Sequence, residues 1–292
     1  MKISWGDIEK SIETLTKVDG GFSPALRGIV TLSDGMRAFV KVGVNDPTKK
    51  WAKKEVEVYR FLQRQNYPFM PHLLAHNNDE TSFALEALTP ADGWNWSDEW
   101  TEERLVKTLE AMDVLAAIQP VGDDKDFFGV EMLNATNDGW QPLKDAKEFQ
   151  HTLLSKLRSA GCSDIANALD FSVEAERSAN FSFRKDTLVH YDVRADNSPW
   201  HALRQAVRLV DWNWTQLGDR RIDLAALLVH VHQAGLDVTR AAGDRLHADA
   251  LQWMAGFWLK AAATPIWPGG PAHLRDVQLR SAITALSLAG IS

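Results

Sequence analysis

Residues 188–197, LVHYDVRADN, put a histidine, a tyrosine, two aspartates, an arginine and an asparagine within one short stretch. The apolar start, Leu188-Val189, has the character of a strand, and the polar cluster follows at once. A lone aspartate after a strand most often caps a turn. A second extended piece, AVRLVDW (206–212), ends in the same way on Asp211-Trp212-Asn213. The spacing His190-x-Asp192-x-x-x-x-Asn197, with Asp211 following 14 residues after Asn197, is more specific than either piece alone. Carboxylate and amide oxygens at strand ends suit a hard divalent cation. A second carboxylate within reach can accept a proton from a substrate hydroxyl.

The rest of the chain narrows the classes. The 292 residues are 45% hydrophobic, enough for one large domain or two lobes. The net charge of −7 argues against a nucleic-acid backbone as partner and is compatible with a cationic substrate. A single cysteine, Cys162, permits no intrachain disulfide, which suits a reducing cytoplasm. The start, MKISWGDIEK, lacks the apolar run of a signal peptide, and runs such as LAALLVHVH are too short to span a bilayer.

Periodicity divides the chain near residue 90. Before it, strands are expected over 20–32 and 34–43, joined by a turn at Ser33-Asp34-Gly35, and again over 72–78 and 82–88. Between the pairs, residues 46–65 read as a helix, with Asp46 as cap and Pro47 in the first turn. Helices are expected over 101–118, 147–160, 164–179, 221–234, 241–262 and 271–288, broken by the extended pieces 186–192 and 206–212. The plan is a small lobe over 1–88, a linker over 89–100 and a helical lobe over 101–292.

HYDVRADN, LVDWNW and, downstream, GDRRIDLAAL form three ordered pieces within residues 188–227. Together they resemble the aminoglycoside phosphotransferase and choline kinase superfamily, distant relatives of the protein kinases. The resemblance implies an α+β, bilobal, protein-kinase-like fold, with a small antiparallel sheet and one helix followed by a larger, mainly helical lobe. It implies that Asp192 orients and deprotonates the acceptor hydroxyl, and that Asn197 and Asp211 hold Mg2+ on the phosphates of ATP or GTP. His190 and Asp223 would support the loop. Arg194 would either neutralise the transferring phosphate or pair with Asp196 or another acid. Tyr191 stands where the family most often has glycine, and would pack under the loop or narrow the cleft.

The first ninety residues give an independent check. Phosphoryl transfer needs a cation on the nucleotide, and Lys41 sits in the apolar stretch AFVKVG, where it could also merely snorkel. On a wheel of 100° per residue, Trp51, Ala52, Val58, Tyr59 and Leu62 fall within about 60° of Glu55, while Glu57 points away. A carboxylate on a buried face is costly unless paired, so Glu55 is expected to pair with Lys41. The resemblance further places Ser23, in DGGFSPA, over the phosphates, and Glu86 and Leu88 at a hinge whose backbone meets the base. In GWNWSDEWTEER (93–104) the tryptophans could wall a substrate and the acids attract a cation. The same stretch is also an ordinary helix start, capped by Ser97 or Thr101.

The expected function is that of a cytoplasmic small-molecule kinase. The leading acceptor is an aminoglycoside-type antibiotic, with resistance as the outcome, and the alternatives are a hydroxylated metabolite such as an amino sugar or amino alcohol. A nucleotide-binding pseudoenzyme would more often have lost one of Lys41, Glu55, Asp192, Asn197 and Asp211. Eleven residues between Asp211 and Asp223 are too few for a protein-kinase activation loop.

Overall fold

The computed structural model describes residues 3–18, 24–266 and 271–291. In chain order the elements are α1 (Trp5–Glu9), β1 (Thr16–Lys17), β2 (Leu26–Thr31), β3 (Arg37–Val42), α2 (Asp46–Arg64), β4 (Leu73–His76), β5 (Ser82–Glu86), α3 (Glu102–Ala117), α4 (Asp123–Phe128), α5 (Trp140–Asp145), α6 (Lys147–Ser159), α7 (Ser163–Ala168) and α8 (Phe171–Ala179). They continue with β6 (Thr187–Val189), β7 (Trp200–His201), β8 (Ala206–Val207), β9 (Gln216–Gly218), α9 (Arg220–Gln233), α10 (Val238–Ala242), α11 (Ala248–Ala263) and α12 (Leu274–Leu288). The chain divides into two compact units. One comprises residues 1–99, 103–124 and 192–215; the other comprises 100–102, 125–191 and 216–292.

The first unit is built on an antiparallel sheet of order β1-β2-β3-β5-β4. Its β2–β3 hairpin turns at Ser33-Asp34-Gly35, where Gly35 takes φ +84, a left-handed value that glycine adopts without strain. Strand alternation decides what each face carries. Ala38 and Val40 of β3 join Val30, Ala84 and Ile8 of α1 in one buried cluster. Lys41, one residue out of phase, therefore faces the side covered by α2. That helix begins with a capping box between Asn45 and Thr48, so Asn45 rather than Asp46 is the cap. The short α1, capped by Ser4, is an element that the sequence reading does not contain.

The second unit is helical. α9 is buried along nearly its whole length, and its Ile222, Ala225, Ala226 and Val229 share a core with Trp140, Trp253 and Leu259. The helix expected over 164–179 is broken into α7 and α8, because Asp170 caps a fresh start by accepting from Ser172 and Val173 N–H. The helix expected over 241–262 starts only at Ala248, after a turn that leaves Gly243 at positive φ. The two-stranded β6–β9 ribbon pairs Val189 with Gln216 and Thr187 with Gly218.

Tyr191 packs beneath that ribbon's exit. Its hydroxyl accepts the Asp219 N–H at 2.6 Å, and its ring fills the space that a side chain at Gly218 would need. A Cβ on Gly218 would lie 2.3 Å from the Tyr191 hydroxyl oxygen. Gly218→Ala is therefore expected to cost about 1–3 kcal/mol. In a double-mutant cycle with Tyr191→Ala much of that cost should vanish; additive losses in thermal melts would show that the two positions do not compete for one space.

Candidate active site

Lys41, Glu55, Asp192, Arg194, Asn197 and Asp211 all lie in the first unit. β3 presents Lys41, and α2 presents Glu55 on its buried face, as the helical wheel predicts. Lys41 Nζ donates to Glu55 Oε1 at 2.5 Å and to Asp211 Oδ1 at 2.9 Å. Glu57, two residues along α2, points outward and pairs with Arg60. Lys41 and Glu55 are buried, at 6% and 2% exposure. Burial works against the Lys41 charge, but Glu55 and Asp211 outweigh it and hold the ammonium above its ordinary range.

Asp211 has φ +64, an unusual value for a residue with a Cβ. Its Oδ1 also accepts from Asn213 Nδ2 at 2.7 Å. The indole of Trp212, fully buried, meets Tyr59 of α2 and Tyr67 edge-on, with ring centroids 6.4 and 5.9 Å away. Asp211, partly exposed, thus lies directly before the fully buried Trp212. Only Ala206–Val207 of the extended piece forms a strand, and Trp212–Trp214 is a 3-10 turn.

Asp192 and Asn197 are joined directly. The Asn197 amide nitrogen donates to the Asp192 backbone carbonyl and to Asp192 Oδ2, both at 2.9 Å. An amide so committed on its nitrogen leaves its oxygen as the group for a cation. Burial, opposed by Arg194 and reinforced by the charges of Asp211 and Asp196, pushes the Asp192 carboxyl up to about 7. Arg194 Nε lies 3.0 Å from Asp196 Oδ1 and 3.4 Å from Asp192 Oδ1. Of the two readings of Arg194, the pairing with acids is the one seen in this arrangement.

The remaining sequence expectations distribute as follows. Ser23, with Gly20 and Gly21, lies outside the described residues. Glu86 ends β5 and spends its N–H on the His72 carbonyl at 2.9 Å. The Leu88 carbonyl accepts from the Trp96 indole at 2.8 Å. Trp94 and Trp100 are buried, while Trp96 is exposed. α3 starts at Glu102, directly after Thr101. In the second unit, Asp223 accepts the backbone N–H groups of His190 (3.1 Å) and Tyr191 (2.7 Å), the supporting place the resemblance implies. Arg104, which sequence reasoning passed over, is fully buried on α3 and donates to backbone carbonyls at Ala195 and Ser198.

The phosphotransferase enzyme family matches residues 14–257. The chain belongs to that family. No curated protein sequence gives a significant match. Solved structures of the same fold include the choline kinase LicA from Streptococcus pneumoniae, with 12% identity over 96% of this chain and 97% of that one and a TM-score of 0.60. An aminoglycoside phosphotransferase from Alicyclobacillus acidocaldarius shares 14% identity over 97% and 92% of the two chains, with a TM-score of 0.53. A streptomycin–ATP ternary complex of APH(2")-IIa shares 13% identity over 97% of each chain, with a TM-score of 0.54. This phosphotransferase therefore has the kinase-like α+β fold that its motifs imply. Among the described residues no helix is long and apolar enough to cross a membrane.

Two outcomes follow for this family member. Glu55→Gln should lower turnover by about tenfold or more, because it strips a buried ammonium of a charged partner, whereas Glu57→Gln should stay within about twofold. Equal losses in steady-state rates would contradict the assignment of the buried face. The second outcome concerns pH. Burial pushes the Asp223 carboxyl from 3.8 up to about 6, against the pull of the His190 and Tyr191 N–H groups. A carboxyl raised by folding lends stability that is full below about pH 4 and is lost as pH rises through about 6. The advantage of the parent over Asp223→Asn in thermal midpoint should therefore shrink between pH 4 and pH 7; a constant gap would show that this carboxyl does not titrate as described.

Proposed function

We propose that this phosphotransferase moves the γ-phosphate of ATP to a hydroxyl of a small cationic acceptor, with an aminoglycoside-type antibiotic as the leading substrate class. The observation that carries the reading is the cluster of Lys41, Glu55 and Asp211 beside the Asn197-bound Asp192. It supplies one fixed cation and three differently held carboxylates, the set that phosphoryl transfer requires.

In this reading Asp192 accepts the hydroxyl proton as the hydroxyl oxygen bonds to the γ-phosphorus. The bond from that phosphorus to the β–γ bridging oxygen breaks, and ADP leaves with its electrons. Asn197, through its amide oxygen, and Asp211, through its carboxylate, would hold Mg2+, a hard cation matched to oxygen donors. The ion supplies neutralisation of phosphate charge. Lys41, kept cationic by Glu55, contacts the phosphates. Arg194 holds Asp192 between itself and Asn197. Glu86 and Leu88 stay as the segment that meets the base, and Ser23 as a phosphate contact.

The acceptor's charge is inferred from the acidic balance of −7 and from exposed Asp98 and Glu99 beside Trp96. Choline and streptomycin, named with two structures of this fold, are both cationic hydroxyl compounds. An amino alcohol kinase is the second reading, favoured by the likeness to the choline kinase.

Consumption of ATP and of GTP is to be measured with Mg2+ against aminoglycosides, amino sugars and amino alcohols. At least one cationic hydroxyl compound should be phosphorylated. Asp192→Asn should lose roughly 10²-fold or more in turnover while still binding Mg-nucleotide. Undiminished turnover in that variant would remove Asp192 as the base. Nucleotide binding without turnover on any acceptor would replace the kinase reading with a nucleotide-binding regulator.

A further inference from the structure

Arg104, a buried charge, donates to four backbone carbonyls. One guanidinium nitrogen donates to the carbonyls of Ser97 (2.8 Å) and Glu99 (2.6 Å). The other donates to those of Ala195 and Ser198, both at 3.0 Å. The residue is 1% exposed. Burial brings its pKa down to about 10, opposed by the charge of Asp98, so it stays cationic at neutral pH. Desolvating a guanidinium is costly unless its donors are used. A planar fork spans several carbonyls at fixed angles, and a lysine ammonium does not.

The four carbonyls belong to two segments. Ala195 and Ser198 bracket Asn197, whose amide in turn fixes Asp192. The same loop closes on itself through Asn197 N–H to the Arg194 carbonyl (3.0 Å) and the Ser198 hydroxyl to the same carbonyl (2.7 Å). Ser97 and Glu99 flank exposed Asp98. They follow Asn95, which exchanges two backbone hydrogen bonds with Trp200 at 2.7 and 2.9 Å. The acidic segment is thus tied to the chain after the loop by a backbone pairing, and to the loop itself by one side chain.

Taking the phosphotransfer reading as its basis, we propose that Arg104 is a positioning residue that sets the Asp192–Ser198 loop and the Ser97–Glu99 segment in one frame. It touches no reactant. Its effect is to keep constant the spacing between the carboxylate that takes the proton and the acidic segment that receives the acceptor's cation. Loss of that spacing by about an ångström is enough to cost two orders of magnitude in rate.

The test uses the full chain as parent, Arg104→Lys, Arg104→Met and Arg104→Gly. Hydrogen–deuterium exchange is followed by peptide, and turnover and Mg-ATP binding are followed with an accepted hydroxyl compound. In Arg104→Lys, amides of residues 94–99 and 192–198 should exchange faster together, by about tenfold, with the sheet strands unchanged. Turnover should fall roughly 10- to 100-fold, more than the Kd for Mg-ATP rises, since the same loop carries Asn197. Methylguanidinium should restore part of the turnover of Arg104→Gly. If Arg104→Met does not fold, Arg104→Lys decides alone. Should the parent phosphorylate nothing, the kinase reading fails and the exchange data still decide the linkage. Faster exchange in only one segment, exchange unchanged in both, or a rate loss equal to the loss of folded protein overturns the proposal.

Discussion

A buried ammonium shared by two carboxylates governs the first unit. Lys41 is one residue out of phase with the apolar face of its strand, and Glu55 occupies the centre of the apolar face of its helix. Either alone would be a desolvated charge with a penalty of several kcal/mol. Together they fix how α2 registers on the sheet, since the helix cannot rotate or slide by a residue without separating them. Asp211 joins from a stretch distant in sequence, and its turn is held against α2 by Trp212 and Tyr59. The geometry of the site is in this sense the geometry of one neutralisation.

The same pairing has a thermodynamic side. Glu55 is buried at 2% side-chain exposure and Asp211 keeps 29%, so Asp211 is the less desolvated of the two partners of Lys41. In the proposed function it is therefore the carboxylate that would exchange the ammonium for a divalent cation, while Glu55 would keep Lys41 charged.

Much of this was legible in the sequence, for identifiable reasons. Glu55 was found because burial of a charge leaves a trace in helical periodicity. The spacing of Asp192, Asn197 and Asp211, which carries the family resemblance, corresponds to contacts in the structure: Asn197 bonds Asp192, and Asp211 accepts from Lys41. The roles of Tyr191 and Arg194 stayed open because both depend on partners, Gly218 with Asp219 in one case and two aspartates in the other, which spacing does not specify. Arg104 was missed, although Thr108, Ala111 and Leu115 place it on the buried face of α3, by the same logic that picked out Glu55. The carbonyls of Ser97, Glu99, Ala195 and Ser198 that it donates to carry no signature in side-chain identity. The breaks at Asp170 and Gly243 were missed because a cap competes locally with a periodicity that continues across it.

The aromatic ring before Asp192 and the glycine at the end of β9 occupy one volume. Position 191 takes a left-handed backbone, φ +62, where glycine would be at ease, and accepts a tyrosine only because position 218 has no side chain. A side chain at 218 would have to push that ring aside, so the two positions share one volume and the room given to the ring at 191 is taken from 218.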